Sequence, residues 1–287
     1  MRNIRINNHR KIKIPCGKYS LNLGERTLIM GILNITPDSF SDGGKYDELD
    51  NAVKHAKKMA EEGADIIDIG AESTRPGHTV ISVEEEKERL IPIVKAVMDE
   101  VDLPISVDTY KSEVAEAVLK MGVPIINDIW GLQRDPEMAK VIAKYDAIVV
   151  SMHNNNGTEY EKDIVESISD YFRKSIEIGI EAGIPRDKII LDPGIGFGKD
   201  TNQNLEVMSR LGELNDLGCA LLLGTSKKSM IGNVLDLPSD ERVEGTIATS
   251  VMGTIQNIDI VRVHNVKENY RALKLTDTIV RGLKWEK

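Results

Sequence analysis

The residues able to do chemistry sit where short apolar runs end. Asp68 lies near the end of one run, and Asp108, Asn127 and Asp192 close three others. A carboxylate accepts two hydrogen bonds at once, and an Asn carboxamide both donates and accepts. Such groups, converging on one place, suit a flat ring edge that carries N–H and NH2 groups, as an aminopyrimidinone does. Lys228, Arg262 and His264 follow or close later runs. The Arg fork grips phosphate through two bonds, and a His adds a donor. Positions 262 and 264 are i and i+2 along a strand end, which puts both side chains on one face.

Each of these has a plainer reading. An Asp after a strand can simply cap the next helix, and for Asp108, ahead of a helix at 111–120, that stays open. It is weaker for Asp192, which Pro193 and a run rich in glycine follow. A lone His such as His264 is more often a satisfied core residue. His153 closes an apolar run too, and a loop role suits it as well as a ligand role. The stretch Asn34–Gly44 (NITPDSFSDGG) is long, polar and built from turn formers. Such a segment after a buried strand is more often functional than a mere connection.

The elements that must position these residues follow from periodicity. The chain predicts eight strands, at 27–33, 65–69, 104–107, 124–126, 147–152, 188–191, 219–223 and 260–263. Helices are predicted at 48–62, from Ser82 onward, and at 111–120, 135–144, 163–182, 204–214, 243–255 and 266–283. Strands apolar on both faces belong to parallel sheets covered by helices. Eight such units in 287 residues fit a (β/α)8 barrel; a doubly wound sheet is the alternative. Polar residues fall at nearly every strand end. A barrel gathers these at one mouth, whereas an open sheet spreads them along an edge. One domain over 1–287 is expected, with 1–26 as a hairpin extension: Ile4/Ile6 and Ile12/Ile14 alternate with polar residues around Asn7-Asn8.

Composition narrows the classes. The chain is 41% hydrophobic and 29% charged, ordinary for a globular protein. A net charge of −9 argues against a general nucleic-acid binder. No apolar run approaches a membrane span. Cys16 and Cys219 lie far apart and suggest neither a disulfide framework nor a zinc site, which fits a reducing cytoplasm. The basic N-terminus lacks the continuous apolar core of a secretory signal. Other motifs fail. Gly194-Ile195-Gly196-Phe197-Gly198 lacks GxGxxG spacing. Gly198-Lys199-Asp200 has Asp where a P-loop needs Ser or Thr, and there is no Gly-x-Ser-x-Gly elbow.

Seven ordered blocks carry a resemblance: Met30–Gly44, Ile67–Gly77, Ile105–Lys111, Ile126–Asp128, Leu191–Lys199, Leu222–Gly232 and Val261–Val266. From about Cys16 to the end, the chain resembles the dihydropteroate synthases. The resemblance implies a (β/α)8 barrel that joins 4-aminobenzoate to a pterin methyl diphosphate and releases diphosphate, with Mg2+, in folate synthesis. It implies that Asp108, Asn127, Asp192 and Lys228 hold the pterin, with Asp108, Asp192 and Lys228 the catalytic set. It assigns Asn34, Arg262 and His264 to the diphosphate, with Asn34 beside the metal. Thr74, Arg75, Pro76, Phe40, Phe197 and Ser229 would surround the aminobenzoate. A cytoplasmic homodimer is implied, with no nucleic acid or membrane partner.

One departure stands out. The family commonly has Ser-Arg-Lys where this chain has Ser226-Lys227-Lys228, and Lys cannot stack a planar guanidinium on a ring. The chemistry needs no nucleophilic side chain, since the arylamine itself attacks once diphosphate leaves. Two alternatives share the pterin-holding Asp and Asn residues. A pterin-dependent methyltransferase would not need the Asn34–Gly44 loop or the Arg262/His264 pair. A silent pterin-binding paralogue would bind without turnover.

Overall fold

Alternation along each strand sorts the side chains between two cores. The computed structural model describes residues 11–35, 45–72 and 80–282. Eight strands pair in parallel within them: β3 (Leu28–Asn34), β4 (Ile66–Gly70), β5 (Ile105–Asp108), β6 (Ile125–Asp128), β7 (Ile148–Met152), β8 (Ile189–Asp192), β9 (Ala220–Leu223) and β10 (Ile260–Val263). They close into a barrel in the order β10-β3-β4-β5-β6-β7-β8-β9. Successive residues of a strand point to opposite faces. Leu28, Met30, Ile66, Ile148, Ile190 and Leu222 therefore share a buried interior cluster. Ile29, Leu33, Ile67, Val107, Leu191 and Val261 pack outward in the cluster under the helices.

Higher on the interior parity the apolar residues stop. Ile66 gives way to Asp68, Ile125 to Asn127, Ile190 to Asp192 and Ile260 to Arg262. Register sets these residues on successive rungs: Asp68 lies opposite Ser106, two residues before Asp108, which pairs with Asn127, and Asp192 lies opposite Met152. The alternation that builds a dry lower interior thus also delivers the chemistry to the mouth.

A hairpin, β1 (Ile12–Cys16) with β2 (Tyr19–Leu23), plugs the other end. Its Ile14, Cys16, Leu21 and Leu23 join the interior cluster. The expected N-terminal hairpin is present, with Ile12 and Ile14 paired to Leu23 and Leu21; the turn expected at Asn7-Asn8 lies outside the described residues. Gly17, at φ +59°, supplies the left-handed position that so short a turn needs.

The helices are α1 (Lys45–Glu61), α2 (Val83–Glu100), α3 (Ser112–Lys120), α4 (Met138–Lys144), α5 (Ile164–Glu181), α6 (Thr201–Ser209), α7 (Ser229–Leu235), α8 (Val243–Ile255) and α9 (Val266–Val280). Ser82 caps α2 as expected, accepting from Glu85 N at 3.1 Å. α4 begins at Met138 rather than 135, because the Asp135 carboxylate is spent on Ser112 N (2.8 Å) and Glu137 N (3.0 Å). α6 begins earlier than expected because Asp200 and Gln203 form a capping box. α7 was not expected, since seven residues are too few to show a helical period. Barrel closure is clasped from outside: Asp277 accepts from Thr27 N (2.9 Å) and Thr27 Oγ1 (3.1 Å), tying α9 to the start of β3.

Candidate active site

The upper interior centres on a buried cation between two carboxylates. Arg262 Nε donates to Asp68 Oδ2 at 2.6 Å, and its Nη2 donates to Asp108 Oδ2 at 2.9 Å. Asn127 Nδ2 adds a bond to Asp68 Oδ2 at 3.2 Å. The side chains of Asp68, Asp108 and Arg262 are 0%, 8% and 18% exposed. The other oxygens, Asp68 Oδ1 and Asp108 Oδ1, are buried without a hydrogen-bond partner among the described residues. Burial pushes the Asp108 carboxyl above its ordinary range; Arg262 opposes this, while Asp68 adds to it. Asp108 does not cap α3, whose N-cap residue is Lys111 with no side-chain cap. Gly70 leaves room for Asp108, since a Cβ there would lie 3.3 Å from the Asp108 Cβ.

Asp192 forms a second polar edge. Its Oδ1 accepts from Gly194 N at 2.8 Å. Burial pushes the carboxyl up to about 6, against the pull of the Gly194 N–H and of Lys228, Arg262 and Lys199. Beside it Lys228 Nζ lies 4.1 Å from the centre of the Phe197 ring. Phe197 packs on a small apolar cluster of Tyr110, Ile129 and Met152. Polar acceptors beside an apolar wall suit a flat heteroaromatic ring with a donor edge. The Lys228 turn is held from behind, with Arg242 Nη1 donating to Lys227 O at 3.0 Å and Lys228 O at 3.3 Å. Lys227 takes the left-handed conformation at φ +60°, and its N–H donates to Thr246 Oγ1 at 3.1 Å.

His264 is oriented by Ser226. Its backbone N–H donates to Ser226 Oγ at 3.2 Å, and its Nδ1 lies 2.9 Å from the same oxygen. Which of these two atoms donates is set by the tautomer of the ring. Asn34 is exposed at the end of β3, and Ser229 is exposed at the start of α7. Phe40, Thr74, Arg75 and Pro76 lie outside the described residues. The structure therefore brings Asp108, Asn127, Asp192, Phe197, Lys228, Arg262 and His264 to one mouth.

Sequence reasoning missed four contributors. Lys199 is buried against the Asp192 loop; its block was visible, as a failed P-loop and as the end of a resemblance block, but gave the side chain no role. Ile129 and Met152 form the apolar wall; in sequence Met152 reads as an ordinary strand residue and Ile129 simply follows a strand end. Arg242 acts only through tertiary contacts and leaves no local signal.

Comparison with known proteins agrees with this geometry. The model of the "Pterin binding enzyme" family matches residues 30–264. A Clostridium beijerinckii dihydropteroate synthase is 55% identical over 266 residues, covering 92% of this chain and 98% of the relative. The Bacillus subtilis dihydropteroate synthase is 51% identical, covering 91% of each. The crystal structure of a Clostridium difficile dihydropteroate synthase in the presence of pteroic acid superposes with TM-score 0.89 at 58% identity, covering 90% of this chain and 98% of that one. A Xanthomonas albilineans dihydropteroate synthase with 4-aminobenzoic acid gives 0.90 at 36% identity, covering 94% and 98%. An interior ladder of Asp, Asn and Arg built for a flat donor edge, on a barrel matched at this identity and coverage, places the chain among the pterin-binding enzymes, as a member of the dihydropteroate synthases.

Proposed function

We propose that this chain condenses 6-hydroxymethyl-7,8-dihydropterin diphosphate with 4-aminobenzoate, giving 7,8-dihydropteroate and diphosphate. The observation that supports the assignment of residues is the pair of buried carboxylate oxygens without a partner among the described residues, Asp68 Oδ1 and Asp108 Oδ1, beside Asn127, which pairs with Asp108 in the ladder and bonds Asp68. A pterin's N–H and NH2 edge satisfies acceptors of this kind. Asp192 and Asn127 would hold that edge, Lys228 and Phe197 would flank the ring, and Asp108 would lie nearest the reacting methylene. As diphosphate leaves, positive charge grows on that carbon, and a carboxylate fixed in a buried site stabilises it. His264 and Arg262 would receive the leaving anion. The C–O bond to diphosphate breaks first, the arylamine nitrogen then gives its electron pair to the methylene to form the C–N bond, and the amine loses its proton to solvent.

Mg2+ fits this site as a substrate-borne ion. Among the described residues no group of three His, Cys, Asp or Glu could hold a metal. Mg2+ commonly keeps several waters and takes its remaining oxygens from phosphates. Asn34, exposed at the β3 end, is the residue we assign beside it. When bound, the ion neutralises the leaving diphosphate.

The direct test is diphosphate release by the purified protein with Mg2+ and both substrates. Release that requires both is expected. Pterin binding without release would leave the silent paralogue, and methyl transfer would leave the methyltransferase.

We also propose self-association through α8 and α9, which pack side by side. Met252, Ile255, Leu275 and Ile279 are 47%, 42%, 64% and 63% exposed there. A solvent-facing patch of large apolar residues marks an interaction surface. The wild-type chain is expected to sediment as a dimer and Leu275→Glu as a monomer. A wild-type monomer at micromolar concentration would remove the proposal. Among the described residues no helix is long and apolar enough to cross a membrane. Cys16 and Cys219 are both thiols, which supports a reducing, cytoplasmic setting.

A further inference from the structure

Lys199 is a buried amine that the reaction above does not use; burial pulls it down to about 7, with Asp192 pulling the other way. It is 8% exposed. Its Nζ lies 2.8 Å from His153 Nδ1, 3.0 Å from Gly194 O and 2.9 Å from Phe197 O. Three acceptors match the three N–H bonds of an ammonium. His153 is 2% exposed, and burial holds its ring at about 2, far below the usual range. The ring is therefore neutral, and its Nδ1 accepts when Nε2 carries the proton.

These contacts close a ring of hydrogen bonds around Asp192. His153 N donates to Asp192 O at 2.9 Å, and Gly194 N donates to Asp192 Oδ1 at 2.8 Å. Lys199 then joins the His153 imidazole to the Gly194 carbonyl. The loop between has little slack. Gly194 sits at φ +66°, where a Cβ would fall 2.0 Å from His153 O. Gly196 N donates to Asn204 Oδ1 at 2.7 Å, and Tyr160 donates to Gly198 O at 2.7 Å. The segment from Pro193 to Gly198 is thus wound around one nitrogen.

We propose that Lys199, with His153 as its acceptor, is a positioning residue for pterin binding. It fixes the Asp192 carboxylate through Gly194 and the Phe197 ring through its carbonyl. One side chain therefore sets both a polar edge of the pocket and the aromatic wall on which Lys228 rests. The inference depends on Asp192 being a pterin acceptor. Lys199 itself touches no substrate, because its donors are used within the loop.

Lys199→Met keeps the length of the side chain and removes every donor. The calorimetric Kd for a pterin lacking phosphate is expected to rise about tenfold or more, the scale of a lost bond to a charged group. The KM for pterin diphosphate should rise in parallel, and the KM for 4-aminobenzoate at saturating pterin should rise clearly less, since of the residues expected around the aminobenzoate Lys199 holds only Phe197. His153→Gln, whose carboxamide oxygen can accept from Lys199, should keep most of the affinity that His153→Leu loses. A folded Lys199→Met protein with wild-type pterin affinity would overturn the inference, as would an equal rise in both KM values. If Lys199→Met does not fold, equal pterin affinity in the Gln and Leu variants of His153 overturns it instead. Asp192→Asn, measured alongside, separates the two levels. Unchanged affinity there removes Asp192 from the pocket. A loss there with none in Lys199→Met removes only the role of Lys199.

Discussion

Arg262→Ala is expected to destabilise the fold by about 3–5 kcal/mol and to abolish turnover, because removing one partner of a buried ion pair strands the other. Here two carboxylates are stranded, Asp68 and Asp108, both buried. The loss should depend on pH. The Asp108 carboxyl already sits above its ordinary value through burial, and removing its cation raises it further. A group whose folded pKa exceeds its unfolded one stabilises the fold at low pH and loses that contribution as pH rises through the folded value. The gap between variant and wild type should therefore be wider at about pH 8 than at about pH 5, where the carboxyl takes up a proton. Urea unfolding at both values checks this, and a constant gap would show that Arg262 does not hold those acids. Ligands give a second readout. From sequence alone, the variant should lose pterin diphosphate much more than free pterin alcohol. With Nη2 on Asp108, the alcohol should suffer as well. Unchanged alcohol affinity would restrict Arg262 to the anion.

Asp192→Asn should behave in the opposite way toward stability. Burial holds the Asp192 carboxyl at about 6, so the ionised form costs stability at neutral pH, and an amide removes that cost. The variant is expected to melt no lower than wild type at pH above 7. Pterin affinity should nevertheless fall by about 1.5–3 kcal/mol, because an acceptor toward the ring's donor edge becomes a donor. In the wild type, affinity should weaken as pH drops below about 6, by up to about tenfold per unit, as the carboxylate protonates. The Asn variant should lose that inflection. Calorimetry across this range decides: an inflection that survives in Asp192→Asn belongs to another group.

Much of the barrel was legible in the sequence because burial on both faces leaves an unbroken apolar run. Each of the eight runs became a strand, shifted by about a residue where a polar strand-end residue such as Asp108 or Asp192 still pairs in the ladder. Residues at strand ends were legible as site residues for the same reason, since a polar group ending an apolar run on the interior parity can only reach the mouth. What the sequence hid was partnership. Arg262 read as a grip for phosphate, yet it lies on Asp68, 194 residues away. His153 stood undecided between loop and ligand, and only its contact with Lys199 resolves it into the loop. The pairing of Ile14 with Leu21 was hidden as well, because its turn rests on Gly17 taking a positive φ, which alternation along the chain does not report.

Closure of the barrel has a consequence for biosynthesis. A ribosome delivers β4 with Asp68 and β5 with Asp108 long before it delivers β10 with Arg262. Until β10 seats between β9 and β3, the sheet has open edges, and the two acids lack the guanidinium that bridges them. Sealing the cylinder and neutralising its acids are one event, set by the same strand. A prematurely terminated copy lacking β10 keeps exposed strand edges, which mark it for aggregation or degradation. It also lacks the arginine that orders the upper interior. A nascent or broken chain is thereby barred from sequestering pterin.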